Sequence, residues 1–454
     1  MNKTLWISSI ITVTIFSTNV LVRAENFKTP SGIPYSELEL EIDAYARDYI
    51  GKTTAGETII NRSYGYNDIE NKAEVNADKV FEWGSITKLL VWTSVMQLAE
   101  QEKLDLDEDI RTYLPDGLLT KLQYDKPITM MNLMHHDAGW EDRYIDLFYL
   151  SADQLTTLEE ALLIPEPVQV NEPCRVVGYS NYGVALAGFI VEEIANRPFY
   201  TYVNENIFDV LGMEDTAIHP AQEDNEDIAE KRELIRGYFG DNEGEFSPSN
   251  KDRIYINMYP AGNAIGTAEV AAKIMAALMP KEVENTPLFR NNVTLDEMLT
   301  ITDVYDNGVH RNAHGFWASQ YAVEMLGHAG ITERFSADLT FSKAENLGII
   351  VMTNQAGEIG LFYGLSPVLF GEYPVGDDIA LPDTAEVEGN YITTRSAHHG
   401  FTKLYGAFVT GKVEAVDEQT IQTLGMTFKQ VASYEYISTD EMDLYLEFKM
   451  NDDE

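Results

Sequence analysis

The chain has 454 residues, with 74 acidic against 32 basic side chains and a formal net charge of −42 at pH 7. This balance excludes a nucleic-acid partner, because phosphates would repel so acidic a protein. An apolar content of 44% is ordinary for a globular protein, and the length predicts one sizeable domain plus an accessory one. The acidic surface is expected to keep the protein soluble and monomeric, and it would also attract cationic substrates.

An export signal is predicted at residues 1–24. Lys3 forms a short basic region, residues 5–22 are largely apolar, and Ala24 ends a stretch suited to signal-peptidase cleavage. The alternative is an uncleaved anchor, since the apolar run is near the lower limit of about 17–25 residues for a membrane span. In both cases the protein is expected to act outside the cytoplasmic membrane, either secreted or associated with the cell envelope.

The first chemically informative element combines Ser85 and Lys88, three residues apart at the start of an apolar run at residues 86–98. The apolar spacing predicts a helix, and positions i and i+3 lie on one face of it. A serine hydroxyl needs a neighbouring base to act as a nucleophile. A lysine buried among apolar side chains tends to lose its proton, which would suit that role at neutral pH. Alone, the pair is a weak signal, and a helix cap with a solvated lysine is the more common explanation of such a spacing.

Two further polar clusters follow along the chain. Tyr179 and Asn181 stand just before a second apolar, helix-like run, and His328 and Gly330 stand before a strand-like run. Hydroxyl, amine, phenol, amide and imidazole groups are the residue types that acid–base and nucleophilic catalysis uses. The segment at residues 221–257 is acidic and loop-rich, and it is expected to lie on the surface near the pocket entrance.

The single cysteine and the remaining histidines suggest no further chemistry. Cys174 has no partner for an internal disulfide and is expected to be a packed thiol. His310 and His314 stand four residues apart, a spacing that can hold zinc on a helix, but their neighbours are typical of turns and strands. His135 and His136 are expected to have structural or surface roles. The sequence therefore predicts no metal and no other cofactor.

The three clusters, in this order and at these separations, resemble the serine β-lactamase and penicillin-binding protein superfamily, and within it the class C-like branch of β-lactamase-related serine hydrolases. Residues 128–139 and 260–268 are similar to two further segments of that family. The resemblance implies an α/β (α+β) fold of the β-lactamase/transpeptidase type. In that fold an antiparallel sheet is flanked by helices, a helical region adjoins it, and the nucleophile lies at their junction.

The domain organisation follows from the same resemblance. The hydrolase domain is expected at residues 25–374, and a linker rich in Pro, Gly and Asp at residues 375–384. Residues 385–454 are expected to form a small C-terminal β module. Gly389, Tyr391 and Arg395 resemble the opening of the lipocalin-like domain that follows the hydrolase domain in some relatives, and alternating apolar runs suit antiparallel strands.

The resemblance assigns a role to each motif residue. The nucleophile is Ser85, the proton-transfer pair is Lys88 with Tyr179, the substrate-binding residues are Asn181 and His328, and the oxyanion donors are the backbone N–H groups of Ser85 and Ile331, the latter next to Gly330. Many penicillin-recognising relatives carry lysine where this chain has histidine. A histidine is mostly neutral at pH 7 and is a weaker anchor for a substrate carboxylate.

The predicted function is that of an exported serine hydrolase that acts through an acyl-enzyme. Its expected partner is a small molecule or a polymer of the cell wall. D-Alanyl esters or D-amino-acid peptides rank first as substrates, small carboxylic esters second and β-lactams third. The competing hypothesis is a catalytically silent wall-binding protein that keeps the fold.

Overall fold

The computed structural model describes most of the chain. The described residues are 11–17, 28–34, 37–38, 40–42, 58–142, 147–164, 166–240, 246–249, 254–280, 285–304, 310–358, 360–372, 381–392, 410–423, 425–439 and 445–448. Most of the predicted linker at 375–384 therefore lies outside them. Among helices built from the described residues, none has the length and apolar character needed to cross a membrane.

An eight-stranded antiparallel sheet, here called the central sheet, organises the larger part of the molecule. Its strands, in spatial order, are Asp303–Val304, His310–Asn312, Trp317–Gln320, Glu324–Ile331, Ser336–Ser342, Leu347–Thr353, Ile11–Ser17 and Thr58–Tyr64. The strand Leu347–Thr353 is buried along its whole length, which fits its continuous run of apolar residues.

One strand of the central sheet comes from the predicted export signal. Ile11–Ser17 pairs antiparallel with Leu347–Thr353 on one side and with Thr58–Tyr64 on the other. The sequence analysis did not anticipate this position, because an apolar run of this length matches a leader as well as a buried strand. Cleavage after Ala24 stays a prediction, and it would remove this strand from between its two neighbours.

The two faces of the central sheet support two separate cores. Ile350 and Met352 pack into the larger core, whereas Ile349 and Val351 pack into the smaller one. This division follows from the alternation of side chains along a strand. The smaller core also contains Leu38.

The helices cover both faces of the central sheet and build the helical region. Among the described residues, the α-helices are Lys88–Glu100, Met130–Met134, Leu158–Leu163, Asn181–Ala195, Phe199–Val203, Asp209–Leu211, Glu226–Glu233, Ala268–Leu278, Asn292–Met298 and Gly360–Phe370. Shorter 3-10 turns lie at Gly84–Thr87, Ile110–Tyr113, Ala152–Gln154, Tyr259–Ala261 and Thr384–Val387, and a π-helical turn lies at Asn204–Phe208. The helices Lys88–Glu100 and Asn181–Ala195 are almost entirely buried and pack against each other in the larger core.

Short strands complete the larger part of the molecule. Two pair as Tyr66–Asp68 with Ala73–Glu74, and two as Phe148–Tyr149 with Tyr255–Ile256. Three-stranded sheets are formed by Phe81–Glu82, Ile265–Gly266 and Thr216–Ala217, and by Gln355–Ala356, Tyr238–Gly240 and Phe246–Pro248.

The C-terminal region contains a six-stranded antiparallel meander. Its strands are Gly389–Ile392, Thr410–Asp417, Thr420–Thr423, Met426–Ala432, Glu435–Ser438 and Tyr445–Glu447. It has its own apolar core, which includes Ile421 and Phe428. The rings of Tyr391 on the first strand and Phe448 after the last are 5.3 Å apart. The meander therefore curves so that its two ends approach each other.

Candidate active site

Ser85 lies in a tight turn that is pressed against a strand of the central sheet. The turn, Gly84–Thr87, continues directly into the helix Lys88–Glu100. Gly84 has φ +51°, and a Cβ at this position would lie 2.8 Å from the Ile331 nitrogen. Only glycine combines this backbone conformation with so close a neighbour. The turn consequently holds Ser85 at the junction of the sheet and the helical region.

Lys88 is completely buried and contacts the predicted nucleophile. Its Nζ lies 2.8 Å from Ser85 Oγ, 2.9 Å from Asn181 Oδ1 and 2.5 Å from the carbonyl oxygen of Ala261. Three acceptors match the three N–H donors of an ammonium group. Desolvation alone would favour the neutral amine, as predicted from the sequence. In the structure, the ammonium form finds a partner for each of its donors.

Tyr179 and Asn181 reach the site because a helix begins between them. Ser180 is the N-cap residue of Asn181–Ala195, and its Oγ accepts from the Gly183 nitrogen at 3.0 Å. Asn181 is thus the first residue of the helix, and Tyr179 lies just before the cap. Lys88 Nζ is 4.9 Å from the centroid of the Tyr179 ring, close enough for a cation–π contact.

His136 supports the segment that carries Tyr179. The Ser180 nitrogen donates to His136 Nδ1 at 3.2 Å, and the rings of His136 and Tyr179 are 4.5 Å apart. On its other side His136 stacks on Trp317 at 5.6 Å with an interplanar angle of 13°. His136 therefore has the structural role expected of it, because it packs on the predicted catalytic residue Tyr179 and binds the backbone next to it.

His328 lines the site as a neutral imidazole. Burial, together with the nearby charge of Lys88, lowers the pKa of His328 to about 3. Its Nδ1 lies 2.6 Å from the Ala329 carbonyl oxygen, so this nitrogen carries the proton. Its Nε2 has no hydrogen-bond partner among the residues that the structure describes. A neutral ring of this kind can accept a hydrogen bond from a substrate, but it cannot pair with a carboxylate as lysine does.

The two predicted oxyanion donors lie where the turn and the strand Glu324–Ile331 touch. A Cβ on Gly330 would lie 2.9 Å from the Ser85 nitrogen and 2.0 Å from the Trp83 carbonyl oxygen. As a consequence, the backbone nitrogens of Ser85 and Ile331 are held in neighbouring positions by direct backbone contact. This arrangement resembles the pair of N–H donors that acyl-transfer enzymes aim at a developing oxyanion.

A cavity of about 540 Å³ opens onto the nucleophile. The predicted residues Ser85, Tyr179, Asn181, His328 and Ile331 all line it. Among the other lining residues are Phe148, Trp317, Tyr321, Asp338, Thr340 and Ser366. The volume is within the usual range for a pocket that binds a small ligand.

A buried ion pair secures the chain on both sides of the turn. Arg232 Nε donates to Glu82 Oε1 at 2.9 Å, and Thr332 Oγ1 donates to Glu82 Oε2 at 2.6 Å. Arg334 approaches the same carboxylate at 3.5 Å. These contacts fix the residues just before Gly84 relative to those just after Ile331.

Two expectations outside the motifs can also be compared with the structure. Cys174 was expected to be packed, and this was wrong: it is exposed, in a turn with φ +67°. It lies in a surface turn, where its Sγ accepts a hydrogen bond from Asn132 Nδ2 at 3.1 Å. In the segment at 221–257, Ile254 and Ile256 line small cavities beside the main one, together with Phe148.

Several residues that contribute to the site were not predicted from the sequence. Ala261 contributes only its carbonyl oxygen, and Trp317 and Asp338 stand in no motif, so no pattern of residue types identifies them. His136 had a signal, because it falls within the family-like segment at residues 128–139.

Comparisons with known proteins agree with this geometry. The family model described as Beta-lactamase matches residues 48–364. Protein flp of Staphylococcus aureus (strain N315) is 20% identical over 305 residues, which cover 67% of this chain and 58% of that protein. The chain thus spans little more than half the length of this curated relative.

Two solved structures have the same fold. An octameric penicillin-binding protein homologue from Pyrococcus abyssi is 18% identical, with a TM-score of 0.60 over 92% of this chain and 96% of that one. The D-amino acid amidase from Ochrobactrum anthropi SV3 is 22% identical, with a TM-score of 0.56 over 70% and 92%. At these identities the similarity confirms the predicted β-lactamase/transpeptidase-like fold.

Proposed function

The chain belongs to the Beta-lactamase family, as its motifs predicted, and on that premise we propose that it is an exported serine hydrolase acting on D-alanyl esters or D-amino-acid peptides of the cell envelope. The observation that carries the proposal is the 2.8 Å contact between Lys88 Nζ and Ser85 Oγ, next to the Tyr179 ring. This contact couples the serine hydroxyl to Lys88, and Lys88 in turn contacts the Tyr179 ring.

The hydrogen bonds of Lys88 support Tyr179 as the general base. In the ammonium form Lys88 uses all three donors, so it stabilises negative charge instead of accepting a proton. A neighbouring ammonium favours the phenolate form of a tyrosine. Tyr179 then takes the proton from Ser85 as Oγ attacks the substrate carbonyl, and returns it to the leaving group. Water then attacks the carbonyl of the acyl-enzyme as Tyr179 takes its proton. Ser85 Oγ leaves and regains a proton from Tyr179.

The backbone nitrogens of Ser85 and Ile331 supply the electrostatic part of the reaction. They would donate to the carbonyl oxygen as it becomes an oxyanion. One such donor is typically worth about 2.7–4 kcal/mol of transition-state stabilisation. Because both are backbone groups fixed by the close contacts of Gly84 and Gly330, they need no reorganisation during the reaction.

The substrate ranking rests on the polar groups around Ser85. A neutral His328 gives no counter-charge to a substrate carboxylate, which places β-lactams behind esters and amides. The fold similarity to a protein named D-amino acid amidase supports a D-aminoacyl substrate. The net charge of −42 favours cationic substrates over anionic ones. Export is supported by the leader-like residues 1–24 and places the enzyme where such substrates occur.

Two assays test the proposal. A fluorophosphonate probe should label the wild-type protein and not Ser85→Ala, and p-nitrophenyl esters should be compared with D-alanyl esters and D-Ala-D-Ala peptides. Turnover of the D-aminoacyl substrates above the simple esters is the expected result. Folded wild-type protein that neither takes the label nor turns over any substrate would instead identify a silent wall-binding protein.

A further inference from the structure

We propose that Asp338 binds an ammonium group of the substrate and makes the enzyme selective for acyl groups that carry a free amine. The inference rests on the hydrolase function proposed above and adds a recognition element to the same cavity. Asp338 stands on the strand Ser336–Ser342, next to the strand that carries His328 and Gly330.

Asp338 is a buried acid without a counter-charge. It is 4% exposed, and Thr340 Oγ1 donates to its Oδ2 at 2.8 Å. Among the residues that the structure describes, no cationic side chain forms an ion pair with it. Burial raises the pKa of Asp338 to about 7. A buried acid avoids the cost of its charge either by keeping its proton or by pairing with a cation, and a ligand that brings an ammonium group would supply the second route.

The surroundings of Asp338 suit an ammonium ligand. The cavity that Asp338 lines also presents the hydroxyl groups of Thr340, Ser366 and Tyr321, which can accept hydrogen bonds from N–H donors. The ring of Trp317 lines the same cavity and offers a face for a cation–π contact. An anionic ligand would find no positive partner at Asp338 itself.

The distance from Asp338 to the nucleophile limits where the ammonium sits on the substrate. Asp338 pairs with Ala329, and Gly330, which follows, packs against the backbone of Ser85. Asp338 also pairs with Val351, which packs into the smaller core, so its side chain lies on the sheet face opposite His328 and the cavity reaches it past the strand Glu324–Ile331. Paired Cα atoms in an antiparallel ladder are about 5 Å apart and consecutive ones about 3.8 Å, so the backbone path is on the order of 10 Å. An α-ammonium or a longer side-chain amine of the acyl group would fall within this range.

Direct binding tests the site without catalysis. In the Ser85→Ala protein, D-lysinamide carries both kinds of amine, and its N,N′-diacetyl form carries neither. By titration calorimetry at 150 mM salt, D-lysinamide should bind at least about tenfold more tightly than the diacetyl form. The preference should disappear when Asp338→Asn is added. Equal affinities for both ligands, or a preference that Asp338→Asn leaves intact, would overturn the inference.

A matched variant controls for charge and burial. Glu166 is also 4% exposed and holds Thr120 through a 2.9 Å hydrogen bond, but it does not line the cavity. Glu166→Gln removes one negative charge, as Asp338→Asn does, and should leave the amine preference unchanged. A loss of preference in both variants would assign the effect to the net charge of the protein and reject the site.

Kinetics separate this inference from the proposed function. With D-alanyl and lysyl-D-alanyl esters, Asp338→Asn should lower kcat/KM at least about tenfold for the free amines and change it little for the N-acetylated forms. Equal losses for both forms would refute amine recognition while leaving the hydrolase intact. Failure of fluorophosphonate labelling would reject the hydrolase, and the calorimetric result would still decide the role of Asp338.

Discussion

Lys88 Nζ donates to Asn181 Oδ1 across 2.9 Å, although 93 positions separate the two residues in the chain. The contact joins the first turn of one buried helix to the first residue of another. It therefore holds the amine beside Ser85 through the packing of the two helices, and not through the local i, i+3 spacing alone.

Replacement of Asn181 tests the value of this contact. Asn181→Ala removes one acceptor from a buried ammonium, and a hydrogen bond to a charged group is worth about 1.5–3 kcal/mol. We expect kcat/KM toward the best ester or amide substrate to fall roughly tenfold to a hundredfold. Steady-state kinetics with the purified variant provide the measurement.

Asn257 offers a control for this variant. It is buried, at 2% exposure, whereas Asn181 is half-buried, and it hydrogen-bonds Thr156 without lining the cavity at Ser85. Asn257→Ala should lower the melting temperature and leave kcat/KM nearly unchanged. If both alanine variants lose activity equally, Asn181 acts on folding and not on Lys88.

The sequence predicted the residue types of the site but not all of its distances. Ser85, Lys88, Tyr179, Asn181 and His328 line or adjoin one cavity, as the motif order implied. The local pattern fixes how Ser85 meets Lys88, because both lie on adjoining turns. It does not specify which backbone carbonyl approaches Nζ, since that depends on how distant segments pack.

The position of Asp338 at the cavity could not be predicted from the sequence either. Along Ser336–Ser342 the pattern of polar and apolar residues predicts which side chains share a face of the sheet. Whether that face meets a helix or a cavity depends on the neighbouring elements. The strand Ile11–Ser17 is a comparable case, because one apolar run is compatible with a leader and with a buried strand.

Gly330 is predicted to be indispensable for activity. A Cβ there would lie 2.0 Å from the Trp83 carbonyl oxygen, so Gly330→Ala must move the strand away from the nucleophile turn. Losing one aligned oxyanion donor costs about 2.7–4 kcal/mol, and kcat should drop roughly a hundredfold to a thousandfold. The measurement combines kcat with circular dichroism of the folded variant.

Gly389 provides a control for Gly330→Ala, because it has ordinary space around it. A Cβ on Gly389 would lie 3.5 Å from the Tyr391 ring, which is normal van der Waals contact. Gly389→Ala should keep full activity. An active Gly330→Ala enzyme would contradict the proposed oxyanion geometry.

Export predicts a defined N-terminus. If the protein is secreted with cleavage after Ala24, N-terminal sequencing of the extracellular protein should begin at Glu25. The intact mass of the extracellular protein should be lower by the mass of residues 1–24. A mature protein that retains residues 11–17 would contradict the leader and agree instead with their place between two strands of the central sheet.

The stability of the protein should depend on pH through Asp338. Because burial raises the pKa of Asp338 from its ordinary value of 3.8 to about 7, the folded state holds this proton more tightly than the unfolded state. The free energy of unfolding should therefore fall as the pH rises from about 4 to about 7, and then level off. The contribution amounts to about 4 kcal/mol at most.

Asp338→Asn isolates this contribution from other titrating groups. His328 works in the opposite direction, because its lowered pKa removes stability as the pH falls below 6.5, but it is present in both proteins. The variant should be more stable than wild type at pH 8 by up to about 4 kcal/mol, and equally stable near pH 3.5. Urea unfolding at both pH values measures the difference. A variant that is less stable than wild type at pH 8 would mean that the carboxylate has a partner in the folded protein, because its replacement would then remove a favourable contact.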